Sequence, residues 1–226
     1  TYQLTGTVPG SLFADLEKSG TFGAEGLFWR ENNRQCTDIA GRDFIFSREI
    51  TIAPAFLHGP DSGLVYLEAD GLDTLATLSI NGQEIGVTDN MHRRWEFEVG
   101  SLLKAGTNRI EIRFADALDH CRRELERRKV WFAYEPTPEI AWPGFNMIRK
   151  SHCSFGWDWG PIVPDVGIWR PIRLAARGPA RVAELRVLQH HSPSPTGTAV
   201  RLDIQANLEW LSEGAYHRAP ARGGIG

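Results

Sequence analysis

Cysteine, positive charge and long apolar runs are all scarce in this sequence. Its 226 residues include three cysteines, Cys36, Cys121 and Cys153, which lie far apart and form no C-x-x-C pair. An odd, scattered set indicates neither a disulfide framework nor a zinc site, so we expect buried free thiols and no bound metal. The formal net charge of -3 provides no basic surface for phosphates or anionic lipid, which argues against nucleic-acid and membrane partners.

The beginning of the sequence shows no targeting segment. No apolar run approaches the roughly 20 residues of a membrane-spanning helix, and neither a charged nor an apolar leader follows Thr1. Because Thr1 stands where an initiator Met is normal, we expect a piece of a longer chain from which any targeting segment has been lost. The compartment stays undetermined, with the cytoplasm favoured.

Alternation of apolar and polar side chains with a period of two predicts an all-β fold. In residues 108–114, for example, Ile110, Ile112 and Phe114 alternate with charged residues. Further strands are predicted over residues 44–52, 64–69, 75–80, 95–99 and 168–174. Asn81-Gly82 follows one of them and suits the turn of a β-hairpin. Only two helices are predicted, over residues 12–18 and 117–129.

Residues 130–171 form a tryptophan-rich segment without regular periodicity. Five of the eight tryptophans lie here, among prolines and glycines. A long connection of this kind inside a compact domain is usually functional or disordered, and the aromatic content argues against disorder. Glu135 and Glu139, which lie in it, are interpreted as ordinary loop acids.

A change of pattern at Arg177-Gly178-Pro179 predicts a domain boundary. We therefore expect one domain over residues 1–178 and an incomplete second one over 179–226. Residues 184–188 and 200–208 alternate like strands, with a polar hairpin loop over 190–197. Two strands alone are marginally stable in water, so the tail is expected to begin a second sandwich.

The chemistry is concentrated in the run Phe155-Gly156-Trp157-Asp158-Trp159-Gly160-Pro161. An acid between two indoles suits a sugar site, because pyranose C–H faces pack on aromatic rings and hydroxyls donate to a carboxylate. Glycines allow the backbone to turn so that the carboxylate points outward. The alternative is that the tryptophans belong to the core and Asp158 caps a turn.

This run, with Arg149-Lys150 before it and Gly167-Ile168-Trp169-Arg170-Pro171 after it, resembles a segment of the β-mannosidases of glycoside hydrolase family 2. The resemblance covers roughly residues 7–174. It implies a jelly-roll, galactose-binding-like β-sandwich followed by the start of an immunoglobulin-like sandwich. It also implies that a (β/α)8 barrel, supplied by a missing C-terminal part of the same protein, carries both catalytic glutamates.

By the same resemblance, Asp158 contacts hydroxyls of a bound carbohydrate, Trp157 shapes the pocket wall, and Trp159 is assigned to packing. Arg149 is predicted as a third sugar-binding residue that either pairs with Asp158 or holds the loop, and the alternative is an ordinary surface arginine. No catalytic residue, metal or cofactor is expected in this chain. Glu31-Asn32-Asn33 departs from the family's Asn-Glu pair, which bears on sugar specificity.

Three other functions remain open. The chain could be a freestanding carbohydrate-binding module that holds a glycan without turnover. It could belong to a related family 2 enzyme, such as a β-galactosidase, β-glucuronidase or glucosaminidase. It could also be a structural sandwich whose tryptophan-rich segment is a buried protein interface.

Overall fold

The computed structural model describes residues 3–58, 64–130, 141–178, 180–194 and 197–210. The strands in these ranges are β1 (Phe44–Ile52), β2 (Leu64–Ala69), β3 (Ala76–Ile80), β4 (Gln83–Thr88), β5 (Trp95–Glu98), β6 (Gly106–Phe114), β7 (Phe155–Trp157), β8 (Gly160–Ile162), β9 (Ile172–Arg177), β10 (Ala180–Ser194) and β11 (Gly197–Trp210). The helices are α1 (Leu12–Lys18), α2 (Gln35–Ala40), α3 (Pro54–His58) and α4 (Ala117–Arg128). Single 3-10 turns lie at Asn32–Arg34, Gly100–Leu102, Phe145–Met147 and His152–Ser154.

Two antiparallel sheets share one hydrophobic core. One has the strand order β1-β6-β3-β4 and the other the order β5-β2-β9. Alternate residues of both sheets point into the core, including Leu67 of β2, Leu78 of β3 and Ile112 of β6. The prediction of an all-β sandwich is confirmed, and most of its strands bury one side, as a period of two requires, while β2 is buried on both.

Local signals set the ends of several elements. Asn81 and Gly82 adopt positive φ angles of 52° and 83° between β3 and β4, as the hairpin prediction requires. Ser11 caps α1 by accepting a hydrogen bond from the Ala14 amide, and Asp116 caps α4 in the same way. Both predicted helices are therefore confirmed to within one residue.

The last strand of the sandwich begins later than predicted. Ile168 was expected to open this strand, but β9 starts at Ile172. The Ile168 carbonyl instead accepts a hydrogen bond from the Gly10 amide at 3.0 Å. The chain before β9 thus pairs with the segment that leads into α1.

A second, smaller core lies beside the sandwich. It gathers side chains of helices α1, α2 and α4 and of the tryptophan-rich segment, namely Phe13, Cys36, Leu118, Cys121, Phe145 and Phe155 among others. Cys36 and Cys121 are buried free thiols as expected, but Cys153 is exposed, so the expectation is wrong for that residue. Cys153 lies in a 3-10 turn at the surface rather than on a packed face.

Strands β10 and β11 form a hairpin that pairs with no other described strand. Both are longer than predicted, and residues 190–194 and 197 of the predicted loop belong to the strands. One face of the hairpin carries exposed apolar side chains, including Val187, which lies opposite Ile204. Arg181 ties the hairpin to the sandwich through an ion pair with Glu96 at 2.8 Å. None of the described helices is long and apolar enough to cross a membrane.

Candidate functional site

The Trp-Asp-Trp run forms the tip of a short hairpin. Trp157 of β7 pairs with Gly160 of β8, so Asp158 and Trp159 make a two-residue turn between the strands. Both turn residues are exposed, and Trp159 is 82% exposed. The carboxylate of Asp158 is therefore available to a ligand outside the sandwich.

The two indoles lie against each other at this tip. The ring centroids of Trp157 and Trp159 are 5.6 Å apart, with an angle of 54° between the ring planes. Trp157 is half-buried. Trp159, which is assigned to packing, contacts Trp157 but is not a core residue, because a side chain in a two-residue turn projects beyond the strands. The rings of Trp157 and Trp159 instead form an aromatic pair beside Asp158.

The base of the hairpin is firmly packed. Phe155 is fully buried in the second core, and its ring centroid lies 6.4 Å from that of Phe145. The Trp142 amide donates to the Phe155 carbonyl at 3.0 Å, and the Val163 amide donates to the Ser154 carbonyl at 3.0 Å. A rigid base with an exposed tip holds recognition groups at a defined place.

Arg149 lies near the start of this loop but does not pair with Asp158 within the part of the chain that the structure describes. Its side chain is exposed, and its carbonyl accepts a hydrogen bond from the Met91 amide at 3.0 Å. The backbone of Arg149 thus joins the loop to the residues that precede β5. A direct sugar contact by the guanidinium stays a prediction.

His152 is the titratable neighbour of Arg149. Partial burial, with added repulsion from Arg149 and His92, lowers the pKa of His152 below its ordinary value. Its ring stacks edge-on against Phe145, with the centroids 5.0 Å apart. The contact with Phe145 indicates that His152 supports the loop rather than reacting.

Lys150 is the residue that sequence reasoning missed. It is buried, forms an ion pair with the carboxylate of Asp73, and donates a hydrogen bond to the Asp165 carbonyl at 2.6 Å. The signal was present, because Ile148, exposed Arg149 and Lys150 alternate as in a strand and place Lys150 on the buried side with Ile148. A lysine on a buried face needs a charged partner.

The site is a protrusion and not a cavity. A shallow, open depression of the surface is lined by Thr37, Asp38, Arg42, Asp116, Arg122 and Trp142, and includes none of the hairpin residues. Within the described ranges, no group of three or more His, Cys, Asp or Glu side chains could hold a metal ion. A sugar held by the tip would be enclosed only if another surface faced it. Glu135 and Glu139 lie outside the described residues.

Comparison with known proteins places this fold in a family. The family model described as "Glycosyl hydrolase 2 galactose-binding domain-like" matches residues 1–170. The chain belongs to this family. It is 30% identical to the β-mannosidase of Rattus norvegicus over 213 residues, which cover 93% of the chain and 23% of the relative. It is 33% identical to the β-mannosidase of Bos taurus over 177 residues, which cover 77% and 20% respectively.

Solved structures agree with these relatives. The crystal structure of the β-D-mannosidase from Dictyoglomus thermophilum superposes with a TM-score of 0.76 at 28% identity, covering 91% of this chain and 24% of that one. The chain therefore has the galactose-binding-like domain of β-mannosidase-like proteins. It spans less than a quarter of the length of the β-mannosidases it matches.

Proposed function

We propose that this chain is the non-catalytic N-terminal domain of a retaining β-mannosidase-like glycoside hydrolase, and that its β7–β8 hairpin contributes to the sugar pocket of a (β/α)8 barrel in the rest of the protein. One observation carries the proposal. An exposed carboxylate, Asp158, sits at the tip of a rigid hairpin beside a pair of contacting indoles. A sugar bound at this tip would be enclosed only if a second surface faced it, and the barrel would provide that surface.

The chemistry of the tip fits a pyranose. The carboxylate of Asp158 accepts hydrogen bonds from sugar hydroxyls, and bonds to a charged acceptor are stronger than neutral ones. The flat indole of Trp157 offers a surface for the apolar C–H groups of the ring. Together these groups orient a sugar without reacting with it.

The same tip lacks the chemistry of hydrolysis. Retaining glycosidases place two carboxyl groups about 5 to 5.5 Å apart around the scissile bond. Asp158 is the single acid of residues 155–162, and the next one, Asp165, uses its carboxylate to accept from Ser11, Phe13 and Val166. The nucleophile and the acid/base would therefore come from the barrel.

The test is Asp158→Ala in the complete enzyme, with Glu84→Ala as the matched control. Glu84 is also an exposed acid close to a two-residue hairpin turn, but it lies in β4 of the sandwich. Losing a charged hydrogen bond costs about 1.5 to 3 kcal/mol, which corresponds to a fall of roughly 10- to 150-fold in kcat/KM.

The melting temperature separates this role from a structural one. Asp158→Ala should leave it nearly unchanged, because an exposed turn residue contributes little to the core. A lower melting temperature with normal kcat/KM would assign Asp158 to the turn alone. An unchanged kcat/KM would remove it from the site.

The tail is proposed to begin an immunoglobulin-like sandwich after residue 178. The exposed apolar face of β10 and β11 supports this, since such a face is stable only when another layer covers it. In limited proteolysis of the 226-residue chain, the β10–β11 hairpin should be cut before β6, and in the complete protein it should be protected. Equal resistance of the two segments in the short chain would contradict the boundary.

A further inference from the structure

The loop that carries the hairpin leaves the sandwich at Lys150 and returns to it at Asp165. The ammonium of Lys150 contacts both places: it pairs with the Asp73 carboxylate and donates to the Asp165 carbonyl at 2.6 Å. The Lys150 side chain is 1% exposed and that of Asp73 is 8% exposed. One buried cation therefore joins both ends of the loop to the connection between β2 and β3.

Both partners of Lys150 are themselves fixed. The Asp73 amide donates to the Gly167 carbonyl at 2.9 Å, and the Gly167 amide donates back to the Asp73 carbonyl at 3.2 Å. The carboxylate of Asp165 accepts from the Val166 amide at 2.8 Å and from the Ser11 hydroxyl. Neither end of the loop can shift without breaking these bonds.

A buried ion pair contributes little to the net free energy of unfolding. The desolvation of two charges offsets most of their attraction, and apolar replacements are often as stable. Its directional bonds, however, restrict the partners to one geometry. The position of Lys150 between both ends of the loop therefore suggests a role in placing what the loop carries.

We propose that Lys150 is a positioning residue that sets where the β7–β8 hairpin presents Asp158. This inference rests on the proposed function, in which Asp158 contacts the sugar. Lys150 is buried, so its effect on a sugar would pass through the loop. It acts by holding residues 150 and 165 at a fixed spacing, so that the packed base around Phe155 and the exposed tip move as one body.

The test replaces the pair by neutral side chains of similar size, Lys150→Met with Asp73→Asn, in the complete enzyme. Removing both charges avoids leaving the Asp73 carboxylate buried and unpaired. The expected result is a fall in kcat/KM for a chromogenic β-mannoside on the order of 10- to 100-fold, since a misplacement near 1 Å is enough for such a loss.

Non-additivity identifies the mechanism. When Asp158→Ala is added to the double variant, kcat/KM should fall no further than in Asp158→Ala alone, because a displaced carboxylate has already lost its contact. A merely structural role would instead lower the melting temperature and give additive losses. The matched control is Arg109→Met with Glu111→Gln, a solvent-facing ion pair of 3.0 Å on β6 that should change neither quantity.

Each of the remaining outcomes overturns the positioning role. If Asp158→Ala lowers kcat/KM but the Lys150 and Asp73 variant is normal, or the losses add, the positioning role is overturned and the proposed function stands. If Asp158→Ala itself has no effect, the proposed function fails and the positioning role fails with it. If the neutral pair does not fold, the ion pair holds the fold and not the loop, which also overturns the inference.

Discussion

Phe155→Ala should strongly destabilise the chain, whereas Trp159→Ala, four residues away, should not. Phe155 is fully buried among the side chains of the second core, with Phe145 at a centroid distance of 6.4 Å. Truncating a buried phenylalanine to alanine typically costs about 3 to 5 kcal/mol, because apolar contacts are lost and a cavity remains. At about 2 to 4 °C per kcal/mol for a chain of this size, the melting temperature should fall by roughly 6 to 20 °C.

The control, Trp159→Ala, distinguishes the packed base of the β7–β8 hairpin from its exposed tip. Trp159 is 82% exposed, so Trp159→Ala should change the free energy of unfolding by no more than about 0.5 kcal/mol. Circular dichroism during heating and during urea titration of the 226-residue chain measures both variants. A loss below about 1 kcal/mol for Phe155→Ala, or comparable losses for both variants, would refute the view of a packed base that carries a free tip.

Three further predictions concern the chain by itself. The 226 residues should leave a chromogenic β-mannoside intact, and steady turnover that survives a mock-purified control would show catalytic groups here. Cys153 should react first with a thiol reagent, since burial raises the pKa of Cys36 and Cys121 to about 12 and keeps both protonated; equal rates for all three would contradict this. The Arg177 hydrogen bond lowers the pKa of Glu96 from 4.5 to about 2, so this pair stabilises the fold above pH 4.5 and loses its effect as the pH falls toward 2. Glu96→Gln should therefore lower the melting temperature at pH 7 and leave it nearly unchanged near pH 2, and an equal loss at both pH values would contradict the linkage.

The sandwich could be predicted because strands with one buried face leave a regular trace in the sequence. Ile112 and Phe114 are buried as their alternation indicates, and the turn at Asn81-Gly82 follows from backbone preference alone. Helix α2 could not be found in this way. Its six residues are too short for a clear period, and it is held by the burial of Cys36 and Ala40 against other elements.

The candidate site was predictable in composition but not in geometry. The acid and indoles of residues 157–159 pointed to sugar chemistry, and the resemblance supplied their roles. The turn that exposes Trp159 depends on the pairing of Trp157 with Gly160, which no local rule fixes. Likewise, the partners of Lys150 lie 77 and 15 residues away along the chain, so its contacts follow from tertiary structure.

The central claim is that the Asp158 carboxylate accepts hydrogen bonds from hydroxyls of the sugar. The most direct measurement compares kcat/KM of the complete enzyme and its Asp158→Ala variant on a chromogenic β-mannoside and on its monodeoxy analogues. For at least one hydroxyl position, the deoxy substrate should lose activity with the native enzyme but little further activity with the variant, giving a coupling of about 1.5 kcal/mol or more. Additive losses at every hydroxyl position would show that Asp158 contacts none of them.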